Sequence, residues 1–424
     1  MPRPFSRLPE PWAFVRHFTP NWFAMTMGTG VLALVIAHLP WALPGQMILA
    51  EVLWLFGVAL FALFALLFLT RVLLHRDTLW PMLLHPVQSM FLGAIPMGLA
   101  VLISGLVQFG PARWGDGVYA LAHALWWLDA AMALGSALLV PYLMFTRQSH
   151  ALEKMTAVWL LPIVAPEVAA GAAGALAPQL DPAAARLVLV VGFILWGMSL
   201  ALAFSLITLV LLRLALHKLP DTDFAATSWL PLGPLATGCL GLLTMGQAAP
   251  AAFTGTPLAA AAELAHGIGL VGGLALWGAG LWWLVIATLF TRHYIRDNMA
   301  FNLGWWGFTF PLGVFALATL ELLRLTELSF FALVGLVLSV QLAAIWLLVL
   351  QRTLRFQGFL ALAQAGATSR ARVGADGIAG LAVDAGYADQ AHLSRECLRL
   401  TGQTPKELLH GDVERCACGH DHSA

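Results

Sequence analysis

The sequence predicts an all-α integral membrane protein: ten transmembrane helices arranged as five helical hairpins around a central pore, followed by a small helix-turn-helix-like tail. Three observations predict it. Of the 424 residues, 60% are apolar and only 10% charged, with a mean hydropathy of +0.82, which is too little polar surface to clothe a water-soluble globule. Ten apolar stretches approach or exceed the roughly 20 residues that a helix needs to cross a bilayer. They lie near 22–39, 49–70, 87–109, 118–145, 156–176, 186–213, 229–250, 263–290, 303–323 and 328–351. Finally, the stretches alternate in character, so that they read as one hairpin repeated five times.

The first member of each pair opens on aromatic or bulky residues and then carries Gly or Pro. These members read NWFAMTMGTG from Asn21, QSMFLGAIPMG from Gln88, WLLPIVAPEVAAG from Trp159, WLPLGPLATG from Trp229 and WWGFTFPLG from Trp305. The second members are smoother and richer in Leu, and they end on basic residues. Proline removes a backbone donor and exposes carbonyls, and membrane helices tolerate it where neighbours satisfy the freed groups. Such uncharged polar groups at membrane depth can attract an anion without holding it tightly. Gly28, Gly30, Gly93, Pro96, Pro166, Pro234 and Pro311 are accordingly the candidates to line and kink a pore. Any one glycine is better explained by close helix packing. Recurrence in all five odd-numbered spans, and scarcely in the even ones, favours a lining.

Charge sets orientation. The N-terminal arm carries Arg3, Arg7 and Arg16, and the connections after the second, fourth, sixth and eighth spans each hold two basic residues, such as Arg147 and Lys154. The opposite loops share only Arg113, Arg186 and Arg324. Both termini are therefore expected on the cytoplasmic side of a bacterial inner membrane. The first 20 residues are proline-rich without an apolar core, so no cleavable leader is expected. The four cysteines, Cys239, Cys397, Cys416 and Cys418, form no disulfide framework.

No Lys or Arg falls deep in a span. The ionisable residues in or near the spans are mostly acidic: Glu51, Asp129, Glu167, Glu263 and Glu321, with His123 and His266. A carboxyl at membrane depth is expensive and is a functional candidate by default. Glu167, directly after Pro166 on an odd span, is the candidate for a proton-coupled acid. Asp129 and Glu263, on even spans, fit hydrogen bonds between hairpins equally well. No nucleotide-binding motif is present and no cofactor is expected, so transport would run downhill or on the proton gradient.

HFTPNWFAMTMGTG, WWLDAAMALGSALLVPYLMFTRQ, WLLPIVAPEVAAG and FNLGWWGFTFPLGVFALATLEL together resemble the tellurite-resistance/dicarboxylate transporter family. That family also takes in fungal sulfite and malate permeases and the slow anion channels of plant guard cells. The resemblance runs over residues 12–351. It implies five hairpins in quasi-five-fold order with the odd helices around a pore, assembly as homotrimers, and a pore closed by a phenylalanine beside the proline of the ninth helix. In WWGFTFPLG the matching residue is Phe310; Phe308 would point elsewhere. The cargo does not follow, because members carry C4-dicarboxylates, sulfite, chloride or nitrate on one scaffold. The lack of a basic clamp leans toward a small, weakly held anion. Lipid and small inorganic or organic anions are the expected partners.

The chain divides into an arm (1–20), the ten-helix domain (21–355), a linker (356–376), a helix-turn-helix fragment (377–410) and a Cys/His-rich tail (411–424). GYADQAHLSRE resembles the C-terminal half of AraC-type regulators, which implies base contacts from Gln390, His392 and Arg395. Those regulators hold two such motifs where this chain has one, and its basic residues are few. DNA binding is therefore not expected. The final CACGHDHSA sets Cys416, Cys418, His420 and His422 close together, at a density that suits a loose metal site without the spacing of a structural zinc. The rival readings are a membrane-tethered transcription regulator that uses this tail and an intramembrane enzyme. The first lacks a second helix-turn-helix and the second lacks a clustered acid/base or nucleophile set.

Overall fold

The computed structural model describes residues 13–297, 299 and 301–366, which divide into two units. The larger comprises Phe18–Met299 and Leu303–Val349. In the smaller, the described parts are a helical turn at Ala13–Arg16, residues 301–302 and the last helix from Leu350. Among the described residues, ten helical segments, some counted with their 3₁₀ entries, are long and apolar enough to cross a membrane. We number them α1 (Phe23–Ala37), α2 (Gln46–Leu74), α3 (Ala94–Trp114), α4 (Val118–Thr146), α5 (Leu160–Leu176), α6 (Pro182–His217), α7 (Leu232–Phe253), α8 (Ala259–Arg296), α9 (Thr309–Thr326) and α10 (Ser329–Gly366). Several run past the apolar stretches read from sequence because helix geometry continues into the polar ends. Residues 356–366, expected to open a linker, continue α10 instead. FLALAQ within that stretch is made mostly of good helix formers.

The odd and even helices occupy different layers. Of the spanning windows of the odd helices, 72%, 72%, 83%, 83% and 78% of residues are buried, against 17%, 39%, 39%, 39% and 33% for the even ones. The odd helices pack in the order α1, α3, α5, α7, α9, and α9 closes back onto α1. They form an inner ring of five. The even helices α2, α4, α6 and α8 each pack against their own hairpin partner and against the next inner helix. Their outward faces carry exposed Leu, Ile, Val and Phe, as a lipid-facing surface requires.

A tryptophan in each outer helix fastens this arrangement. Trp54 of α2 donates its indole N–H to the Leu102 carbonyl of α3 (3.1 Å), Trp126 of α4 to Ala169 of α5 (2.8 Å) and Trp196 of α6 to Gly238 of α7 (3.0 Å). Trp277 of α8 donates to Thr319 Oγ1 of α9 (2.9 Å), and Trp346 of α10 to Thr29 Oγ1 of α1 (3.1 Å). Every bond reaches the inner helix of the following hairpin, and the last one closes the circle. The outer layer therefore laces the inner ring, with donors that hydrocarbon could not satisfy otherwise.

Each inner span enters on a 3₁₀ segment before the α-helix begins: Pro20–Trp22, Ser89–Gly93, Ala157–Trp159, Thr222–Trp229 and Leu303–Phe308. Four inner prolines, Pro96, Pro162, Pro234 and Pro311, then fall at the third residue of their helices. This corrects the expectation of mid-helix kinks at Pro96, Pro234 and Pro311. A first-turn N–H has no intrahelical partner, so proline costs little there. Pro166, seventh in α5, does lie inside its helix and takes the donor from the Pro162 carbonyl.

Two of the basic residues at the ends of outer helices are buried clamps. Arg71 bonds Thr78 through Nε to Oγ1 (2.9 Å) and Nη2 to the carbonyl (3.2 Å), and also reaches the Phe18 carbonyl. Arg213 holds the Glu153 carbonyl with Nε (3.2 Å) and Nη2 (2.7 Å) and the Lys218 carbonyl with Nη1. The guanidinium fork folds the connecting loop back onto the helix end.

Candidate functional site

A cavity of about 60 Å³ lies where the five inner spans begin. That is room for a few water molecules or a small anion. Every inner span contributes to it: Ala24 and Met27; Phe91, Ala94 and Met97; Val158, Leu161 and Val164; Thr227, Leu230 and Gly233; Gly304, Gly307 and Phe310. The numbers within each set differ by three. Residues three apart share one face of a helix, so each span turns one side to the cavity, with Leu160, Ala226, Leu303, Trp306 and Pro311 completing the wall. The wall is almost wholly apolar, with Thr227 its main polar side chain, and no Lys or Arg lines it among the described residues.

Phe310 is the second residue of α9 and is 4% exposed. The second residues of the flanking inner helices are Gly233 on α7 and Ala24 on α1, both lining the same cavity. A Cβ placed on Gly233 would meet nothing within 4 Å. The large ring thus stands between two small residues, with free space on the Gly233 side. Pro311 joins Phe310 in the wall and fixes the backbone beneath it.

Gly28, Gly30 and Gly93 do not face this cavity. A Cβ on Gly28 would overlap the Thr309 hydroxyl of α9, one on Gly30 would come 2.7 Å from Val101 Cγ1 of α3, and one on Gly93 would overlap the Leu161 carbonyl oxygen of α5. These glycines let inner helices touch, which is a packing role. At Gly93 the obstacle is backbone and cannot rotate away. Gly93→Ala is therefore expected to destabilise the protein by about 1–3 kcal/mol, measured as a lowered unfolding temperature in detergent.

Glu167 is fully buried but lies outside the cavity, on the side of α5 that meets α6 and α7. Its Oε2 is 3.0 Å from Ser199 Oγ of α6, and that hydroxyl is 2.7 Å from the Ile163 carbonyl. Gly238 of α7 leaves room for the carboxyl, since a Cβ there would stand 2.6 Å from Oε1. Asp129 is also fully buried, on α4, and neither of its oxygens has a hydrogen-bond partner in the protein. The other acids are peripheral. Glu51 pairs with Arg113. Glu321 accepts from Gln247 Nε2 (2.7 Å) and Arg324 Nη2 (2.7 Å). Glu263 and His266 are exposed in the first turns of α8, and His123 Nε2 accepts from Trp127 (3.0 Å).

Beside the cavity mouth, His150 packs edge-on against Trp159 at 4.9 Å. Its Nε2 lies 2.8 Å from Gln148 Oε1, and the Gln148 amide donates to the Leu83 carbonyl (2.9 Å) and Ser89 Oγ (3.1 Å). Partial burial pushes the His150 imidazole below its usual range, so it stays neutral at ordinary pH. Sequence reasoning did not reach this network, which joins loops far apart in the chain. The residues Gln390, His392, Arg395, Cys416, Cys418, His420 and His422 lie outside the described residues.

Residues 17–354 match the voltage-dependent anion channel family. The sulfite efflux pump of Arthroderma benhamiae is 36% identical over 351 residues, spanning 82% of this chain and 93% of the pump. An uncharacterized transporter of Methanocaldococcus jannaschii is 28% identical over 340 residues, spanning 80% of this chain and 93% of its own. The malic acid transport protein of Schizosaccharomyces pombe is 22% identical over 347 residues, spanning 80% of this chain and 78% of its own. A ring of inner helices around an apolar cavity, in a chain whose residues 17–354 match the family and which is similar over about four-fifths of its length to a sulfite efflux pump and a malic acid transport protein, identifies this protein as a member of the voltage-dependent anion channel family, whose proteins move anions across membranes.

Proposed function

We propose that this protein passes small, singly charged anions, with hydrogen sulfite foremost, through a channel along the axis of its inner ring, and that the Phe310 ring closes it. The observation that carries this reading is the position of Phe310, in the wall of a cavity to which all five inner spans contribute. A bulky ring projecting into an apolar cavity can block an anion both sterically and by keeping water out. The apolar wall also favours an anion of low charge. A dianion such as malate would shed far more hydration and would find no paired cations to replace it. The sulfite pump's 36% identity supports the sulfite choice. We place both termini in the cytoplasm, so that the cavity opens inward, and we expect one such channel in each subunit of a homotrimer.

The test is flux into proteoliposomes for chloride, nitrate, sulfite and malate. Monovalent anions and sulfite are expected to pass faster than malate. Malate passing at least as fast as nitrate would overturn the charge argument, and no flux of any anion through folded protein would overturn the channel. Gly233→Val, which fills the space beside Phe310, is expected to slow nitrate several-fold in the same assay.

A further inference from the structure

We propose that Asp129 is a proton-binding site that couples proton movement to anion passage, with the α5 helix as the link between them. The inference rests on the transport reading above but concerns a residue outside the cavity.

Trp126 and Asp129 are three residues apart and so share one face of α4. Trp126 is bonded to the Ala169 carbonyl, so that face is the one against α5. The two helices run in opposite directions. Three residues further along α4, about 4.5 Å, therefore brings Asp129 back to the depth of Pro166 and Glu167. Two fully buried carboxyls thus flank α5 at one level, Asp129 on the α4 side and Glu167 on the α6 and α7 side.

Glu167 is tethered by a neighbouring hydroxyl. The Ser199 hydroxyl has one proton, and its nearest acceptor is the Ile163 carbonyl at 2.7 Å. The same hydroxyl lies within donating distance of Glu167 Oε2, at 3.0 Å, and so tethers one oxygen of that carboxyl. Thr237 stands near the carboxyl too, but its hydroxyl donates to the Gly233 carbonyl at 2.9 Å. Glu167 is thereby pinned. Asp129 has no such anchor, since neither oxygen is bonded. A carboxylate left like that in hydrocarbon is far too costly, so at rest Asp129 holds a proton. Pro166 leaves the Pro162 carbonyl without its helical donor, an acceptor at the right depth on the helix that Asp129 faces.

No fixed charge competes there. Among the described residues of the helices packed most closely on α4, the ionisable side chains are Arg113 at the far end of α3, paired with Glu51, and Glu167 on α5. The short helix Leu79–Leu84 and the 3₁₀ turn Ser89–Gly93 hold none, and on α4 itself His123 is engaged by Trp127. Releasing the proton requires water to reach Asp129, which requires α5 to part from α4. The same helix presents Leu161 and Val164 to the cavity, with Val158 of its 3₁₀ entry beside them. One proton taken up from the anion's side and released on the other, with one monovalent anion, moves no net charge.

The experiment uses nitrate, which does not itself titrate, in proteoliposomes with an entrapped pH dye and the potential clamped at zero by potassium and valinomycin. Wild-type protein is expected to acidify the lumen as nitrate enters, while Asp129→Asn passes nitrate without the proton. Asp129→Glu, which keeps a carboxyl, is expected to retain acidification with a shifted pH dependence, and it decides the matter if the Asn variant does not fold. Nitrate flux without clamped acidification in wild type, or full acidification by Asp129→Asn, would overturn the proposal and leave the channel standing. Absence of nitrate flux in wild type would instead sink the transport reading, and this proposal with it.

Discussion

Replacing Phe310 with alanine is expected to raise nitrate flux by roughly tenfold or more, corresponding to about 1.4 kcal/mol or more off the permeation barrier. The reasoning is local. The second residues of the two helices beside α9 are Gly233 and Ala24, so the ring of Phe310 supplies most of the bulk on that side of the cavity. Removing it widens the cavity between those two small residues. The wall that remains is still apolar and uncharged, so selectivity among monovalent anions should change little. Phe310→Tyr keeps the ring and adds one polar atom, and its flux should stay much closer to wild type. Unchanged flux in Phe310→Ala, with the variant folded, would mean that the barrier lies elsewhere in the ring.

Trp126→Ala is expected to cost roughly 2–4 kcal/mol of stability, seen as a large drop in unfolding temperature in detergent. In soluble proteins such a truncation loses both hydrophobic transfer and packing. Within a bilayer the transfer component largely vanishes, because lipid tails are as apolar as the core. What remains is the cavity left by a fully buried indole and the loss of the 2.8 Å bond to Ala169. The bond alone contributes about 0.6 kcal/mol, and at most about 1.7 kcal/mol, so Trp126→Phe should be mild and the cavity should dominate. Trp282 on α8 is 52% exposed, and Trp282→Ala should be close to neutral. Equal losses at Trp126 and Trp282 would remove the tryptophan lacing as the basis of the ring.

The layers were legible in the sequence because burial leaves a compositional mark. A helix packed on all sides selects small residues, and one facing lipid selects Leu, so five alternating pairs foretold an inner and an outer layer. The tryptophan lacing had a signal too, since every even span carries at least one indole, among them Trp54, Trp126, Trp196, Trp277 and Trp346. Its acceptors had none, because three of the five are backbone carbonyls, which every residue possesses. The misreading of the prolines has a similar origin. In the sequence Pro96, Pro234 and Pro311 sit inside apolar stretches, and only the 3₁₀ entries place them in the first turn of a helix.

By itself, then, the sequence determined what each segment is: ten spans, their pairing, their two layers and the aromatic residue beside Pro311. These follow from composition and from residue order along one helix. The tertiary structure alone decided what each residue faces. Gly28, Gly30 and Gly93 turned toward neighbouring helices, Phe310 toward the cavity and Glu167 toward Ser199, while Asp129 came level with Pro166 across a helix boundary. Facing depends on how each helix is rotated about its axis. Contacts with partners on other helices, distant in sequence, set that rotation, such as the bond from Trp346 to Thr29 that closes the ring.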